Sequence, residues 1–193
     1  MLTAQEFIDR IHNAGVIGKP RVAAYGEAIS KHLTVGIDML WSPDTREIVI
    51  LKPMIDLFEK AREIVGHPIP VSAGYRTLNH EHELQKRGLK TVKFVSPHCF
   101  GAMDLDARPV NGHNERTENF QIQAALVAAA KVLGLPRPRL GHKSYGEHFT
   151  HVDLVFMLFK PYTALAHPAD WDWGLDAGNR AAFNSAWREG VEW

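Results

Sequence analysis

SPHCFGAMDLDA, residues 96–107, is the stretch on which the reading of this fold turns. Its first half is a loop, because Ser96 and Pro97 break any regular pattern and Gly101 marks a reversal. Its second half, Ala102 to Ala107, alternates apolar with acidic side chains, the period of a strand with one face turned inward. One short segment therefore presents His98, Cys99, Asp104 and Asp106 where a loop becomes a strand.

Working outward, Pro68 and Pro70 force extended backbone upstream, so the residues that follow read as a short strand opening into a loop at Gly74 and Tyr75 and delivering Arg76. Downstream, Phe149 to Leu158 is rich in β-formers and reads as an inner strand carrying His151. Helices lie between and around these strands. Thr3 and Glu6 form a capping box for a first helix that closes at Gly15, and Pro53 to Gly66 is the clearest helix, with Met54, Leu57, Phe58, Ala61, Ile64 and Val65 on one face. Asn79 to Arg87 predicts a short helix, and Phe120 to Leu133 a long one ending at Gly134 before a loop from Arg137 to Gly146. Thr91 to Val95 alternates weakly, and the Trp-rich tail reads as irregular until a last helix near Asn179 to Trp187. The mixture predicts an α+β domain, a small antiparallel sheet carrying the reactive residues with helices packed outside.

Bulk properties bound the function. The 193 residues suit a single domain over 1–193, with no repeat or linker to divide it. Lys plus Arg and Asp plus Glu are 22 each, a balance that predicts no nucleic-acid partner. No stretch approaches the roughly 20 apolar residues of a membrane-spanning helix, so no membrane insertion is expected. The one cysteine, Cys99, rules out an internal disulfide and reads as a small buried residue. The N-terminal stretch lacks the apolar core of an export signal, so the chain as encoded is expected in the cytoplasm. Histidine is frequent, at 11, and imidazole is both a common metal ligand and a proton carrier.

A catalytic zinc takes three protein ligands of the His or carboxylate kind and keeps one position open. His98, Asp104 and a distant His151 meet that count. Asp106 rivals Asp104, because residues two apart on a strand share a face. His80 and His82, two apart on a helix, face different ways and are not expected to share a metal.

SAGYRT (72–77), SPHCFGAMDLDA (96–107) and GEHFTHVDL (146–154), in this order, resemble the motifs of the LAS-type zinc D,D-peptidases. That group includes D-Ala-D-Ala dipeptidases and carboxypeptidases, phage endolysin peptidases, murein endopeptidases and the Hedgehog-like fold. The resemblance covers roughly residues 53–158 and leaves 159–193 as a C-terminal extension. Gly74, Tyr75 and Arg76 match the first motif, with Ala73 in place of its serine; Ser96, His98 and Gly101 match the second, which here is one residue short before Ala102, Met103 and Asp104. The Ala-Met-Asp match favours Asp104 over Asp106.

The resemblance implies a zinc peptidase acting on peptidoglycan stem peptides or D-amino-acid dipeptides. Zinc would sit on His98, Asp104 and His151, with Arg76, Tyr75 and Ser96 toward the substrate. Many relatives place a carboxylate as general base three residues before the last ligand, a position held here by His148; Glu147, one step earlier, is the first candidate for the base and His148 the second. It also implies a phage-type endolysin released at lysis or a cytoplasmic dipeptide hydrolase, and, as the alternative to an enzyme, a zinc-containing binding module.

Overall fold

The computed structural model describes residues 4–13, 15, 17–87, 96–107, 115–141 and 149–154. In chain order these form α1 (Ala4–Asn13), β1 (Arg21–Val22), β2 (Glu47–Ile48), α2 (Lys52–Val65), β3 (Val71–Ala73), α3 (Leu78–Lys86), a 3-10 turn (Pro97–Phe100), β4 (Met103–Asp106), α4 (Glu115–Val132), β5 (Arg139–Gly141) and β6 (Phe149–Asp153). Among the described residues the architecture is mixed, two small antiparallel sheets with helices.

The helices follow their apolar stripes. Proline in the first turn suits the start of α2, where a missing N–H costs nothing, and the Gly66 N–H caps its end on Arg62 O. Met54, Leu57, Phe58 and Ala61 recur every three or four residues and are completely or almost completely buried. They form the face that packs on α4, whose Ala125, Ala129 and Ala130 are short enough to let the two helices approach. Burying a side chain such as Leu57 or Phe58 contributes about 1.5–3 kcal/mol. His67 Nε2 lies 2.6 Å from Glu118 Oε1, tying the end of α2 to α4 with a polar contact.

The larger sheet has the order β3-β4-β6-β5, every neighbour antiparallel. Leu105 pairs with Thr150, and Val152 pairs with Met103 on one side and Leu140 on the other, which puts these residues on one face. That face looks toward α4, whose Gln123 donates to Thr150 Oγ1 at 3.0 Å. The opposite face receives Asp104, His151, Asp153 and Arg139. As the sequence predicts, β6 is an inner strand.

The free edge of β3 is lined by residues 39–42. Met39 N–H donates to Val71 O at 3.0 Å, Tyr75 N–H to Leu40 O at 3.0 Å, and Thr77 N–H to Ser42 Oγ at 2.9 Å. The contact is so close that a Cβ on Gly74 would stand 2.8 Å from Leu40 Cα, with backbone rather than a flexible side chain in the way.

Several expectations are corrected. Residues 139–141, expected in a loop, form β5; a three-residue strand beside Pro136 and Pro138 is too short to show any period. The long helix starts at Glu115 rather than Phe120, since its first turn is polar and carries no apolar stripe. The small sheet of β1 and β2 was not anticipated, each strand being two residues long. The Thr3 cap, the 91–95 segment, the loop beyond Gly141, the end of the last strand after Leu154, and the expected helix near Asn179 to Trp187 lie outside the described residues. No helix among those described is long and apolar enough to cross a membrane.

Candidate metal centre

Three elements converge on one point. The 3-10 turn is set by Ser96, whose hydroxyl accepts the His98 N–H at 3.3 Å, and by Gly101, whose φ of 88° lets the chain reverse into β4 where a side chain would be strained. That turn directs His98 inward. β4 and β6 then place Asp104 and His151 directly opposite each other across the ladder. All three side chains are buried, and a ligand atom of each lies within 4.8 Å of the others.

Asp104 Oδ1 is the hub. His98 Nε2 is 3.2 Å from it and His151 Nδ1 is 2.9 Å from it, while the two rings meet edge to face with centroids 5.0 Å apart. The far nitrogen of each ring already faces an acceptor: His98 Nδ1 lies 2.6 Å from Gly74 O, and His151 Nε2 lies 3.1 Å from Asp153 Oδ2. With a metal ion held between them, each neutral imidazole would give its one N–H to these acceptors and turn its lone pair to the ion. Three lone-pair donors crowded together repel unless a cation lies among them. Donors about 2.0–2.1 Å from one tetrahedral ion stand roughly 3.3 Å apart, close to the two distances from the rings to Asp104 Oδ1, 3.2 and 2.9 Å. The residues therefore fit a metal ion, and a His-His-carboxylate set is a common one for zinc.

The two rings differ in their electrostatics. Burial pushes the His98 imidazole below its ordinary pKa; Asp104 offsets this in part and the Arg76 charge adds to it. For His151 burial acts the same way, but hydrogen bonds to Asp104 and Asp153 prevail and the pKa is raised. Burial opposes ionisation of Asp104, yet its two histidine neighbours hold the carboxyl well below the usual carboxylate range.

The other oxygen of Asp104 is taken. Arg76 Nη2 donates to Oδ2 at 3.0 Å, and Arg76 Nη1 reaches Oε1 of the buried Glu81 at 3.4 Å. With Oδ2 engaged, Asp104 offers a metal one oxygen. Arg76 was expected to face a substrate; here its guanidinium braces a carboxylate of the cluster.

Asp106 stands two residues along β4, opposite Phe149, outside the three-residue cluster; its N–H bonds Pro70 O. Ser96 serves as the cap of the turn. Tyr75 is buried among hydrophobic residues, and burial raises its phenol pKa. Cys99 is buried and unbridged. His80 is half-buried and His82 exposed, and neither belongs to the cluster. Glu147 and His148 lie outside the described residues.

Sequence reasoning does not pick out Glu81, Arg139 or Asp153, and it shows Gly74 as a motif and loop residue without its carbonyl's contact to His98. Asp153 had a readable signal, since His151 and Asp153 are two apart on a strand and share its face. Arg139 had none, because its strand was invisible. Comparison of the chain with protein-family models, with curated proteins and with solved structures finds no match in any of the three.

Proposed function

We propose that the chain is a zinc-dependent peptidase of the D,D-peptidase type, built on the Hedgehog-like fold, that hydrolyses peptide bonds of peptidoglycan stem peptides or D-amino-acid dipeptides. The observation that carries this reading is the convergence of His98, Asp104 and His151 on one point. Supporting it, the donors come from the motifs by which the sequence resembles those peptidases. The endolysin setting, with release to the wall at lysis, and the cytoplasmic dipeptide hydrolase remain the two proposed contexts.

In this reading His98 Nε2, Asp104 Oδ1 and His151 Nδ1 hold the ion. Zinc so held supplies Lewis-acid polarisation of a carbonyl and an acidified water. The protein residues do the rest. Gly74 O and Asp153 fix the two rings, Arg76 keeps Asp104 oriented through Oδ2, and Glu147 or His148 moves the proton. The test is digestion of purified peptidoglycan, and of D-Ala-D-Ala, by zinc-loaded and chelator-treated protein, with released amines measured. Amine release that vanishes on chelation is expected.

One observation favours a second reading. All three donors are 4 % exposed or less, as at a structural metal site, which suits a non-catalytic zinc-containing binding module. Stoichiometric zinc with no amine released from any peptidoglycan substrate would choose that reading over the enzyme.

A further inference from the structure

Among the described residues, Asp153 and Arg139 are buried charged residues beside the cluster, and Arg139 has no role above. They are Cα partners on β6 and β5, and Asp153 is two residues from His151 on the same face. Arg139 is 4 % exposed and Asp153 fully buried. The guanidinium reaches Asp153 Oδ2 through Nε at 2.8 Å and through Nη2 at 2.7 Å. The same oxygen faces His151 Nε2 at 3.1 Å. On β5 the residue opposite His151 is Gly141, which carries no side chain.

We propose that Asp153, clamped by Arg139, is the positioning residue that fixes His151 in the Nε2–H tautomer and so makes Nδ1 its metal-binding atom. This rests on the metal-site reading above and adds to it the origin of the donor atom. Histidine binds metals through either nitrogen, and the hydrogen bond at the other one decides which. Without a fixed acceptor at Nε2, His151 would keep its proton on Nδ1, where Asp104 Oδ1 at 2.9 Å accepts it, and that tautomer has no lone pair there for a metal. Arg139 explains why the acceptor does not swing away. Its Nε–H donates to Asp153 Oδ2 and its Nη2 stands within ion-pair distance of that same oxygen, the one that faces the ring.

Fold stability alone does not account for the pair. Burying an arginine and a carboxylate costs desolvation that their attraction only about balances, and well-packed apolar replacements are often as stable. A purely structural pair would affect unfolding and leave the tautomer of His151 alone.

The experiment uses the full chain with zinc as the probe. Affinity is read by competition with a chromophoric chelator, and the tautomer of His151 by long-range proton–nitrogen correlation on 15N-histidine protein. In the wild type, zinc-loaded His151 should carry its proton on Nε2; a proton on Nδ1 overturns the proposal with no mutation needed. Asp153→Asn can turn its amide NH2 toward the ring and favour the wrong tautomer, and should weaken zinc by about 10 to 100-fold. Arg139→Met with Asp153→Leu replaces the pair by apolar groups and should lose affinity comparably while keeping a cooperative unfolding transition. Wild-type affinity with unchanged tautomer in either folded variant overturns the proposal. Failures separate cleanly. No zinc bound by the wild type sinks the metal site and this role together, whereas zinc bound without peptide hydrolysis sinks only the peptidase.

Discussion

Asp104 and His151 are distant in sequence yet stand as direct partners across the β4–β6 ladder, with His151 Nδ1 2.9 Å from Asp104 Oδ1. The site is therefore as rigid as the sheet, because a one-residue slip of register would send one of the two side chains to the α4 face. His98 alone is held by a turn. Predictions follow from this division between ladder and turn.

Removing either imidazole leaves two donors, too few to hold zinc against water. Protein purified without added metal should contain about one zinc per chain, and His98→Ala or His151→Ala should contain almost none. Elemental analysis decides it, and retention of zinc in both variants would sink the centre.

The two aspartates of β4 should separate sharply. Asp104→Asn removes the hub oxygen and its charge, so zinc affinity should collapse by far more than about 100-fold, beyond the loss seen for outer-shell residues. Asp106→Asn, outside the cluster, should change affinity little. Chelator competition on both variants reads the difference, and the reverse order would move the ligand to Asp106.

Arg76 touches Asp104 on the side away from the histidines. Arg76→Ala should therefore weaken zinc by about 10 to 100-fold as well as lowering turnover, since Asp104 loses the partner that orients it. Zinc affinity and hydrolysis are measured on the same samples. Lost turnover at unchanged affinity would instead return Arg76 to the substrate.

His12 lies between two carbonyls, Nδ1 3.1 Å from Gly18 O and Nε2 3.1 Å from Cys99 O, and burial lowers its pKa below the ordinary value in spite of both. As pH falls through that ordinary value the unfolded chain binds a proton that the folded chain resists, so this contribution to stability is complete above it and shrinks below it. Urea midpoints at about pH 8 and about pH 5.5 should differ more for the wild type than for His12→Gln, across the range where imidazole titrates. Equal pH dependence in the two proteins would show that His12 contributes nothing to acid sensitivity.

Gly74 gives its carbonyl to His98 and its missing side chain to Leu40. Gly74→Ala should cost about 1–3 kcal/mol through overpacking against backbone, and should weaken zinc because the His98 acceptor shifts. Thermal unfolding and chelator competition together test this. An unaltered zinc affinity would separate the packing from the centre.

What the sequence made legible was whatever carries its own pattern. The α2 stripe, the alternation around Asp104 and the β-forming run at His151 are local signals; the first two appear where they were read, and the third as a strand over Phe149–Asp153, the part of the run that the described residues cover apart from Leu154. The motif match favoured Asp104 over Asp106, and the structure gathers Asp104 with His98 and His151 while Asp106 stands opposite Phe149. Arg139 and Glu81 stayed hidden for a different reason. Their importance lies in what they touch across the fold, and neither a three-residue strand nor a lone glutamate on a short helix signals a contact with distant residues.

Residues 39–42 occupy the outer edge of β3, ahead of the segment that resembles the peptidases. A fragment trimmed to begin at residue 53 would keep all three metal donors and still expose the backbone groups of Val71 and Tyr75 that those residues now satisfy. An open β edge is a template for pairing with other chains. Such a fragment would tend to self-associate through β3, so the smallest well-behaved unit of this protein must reach back beyond Met39.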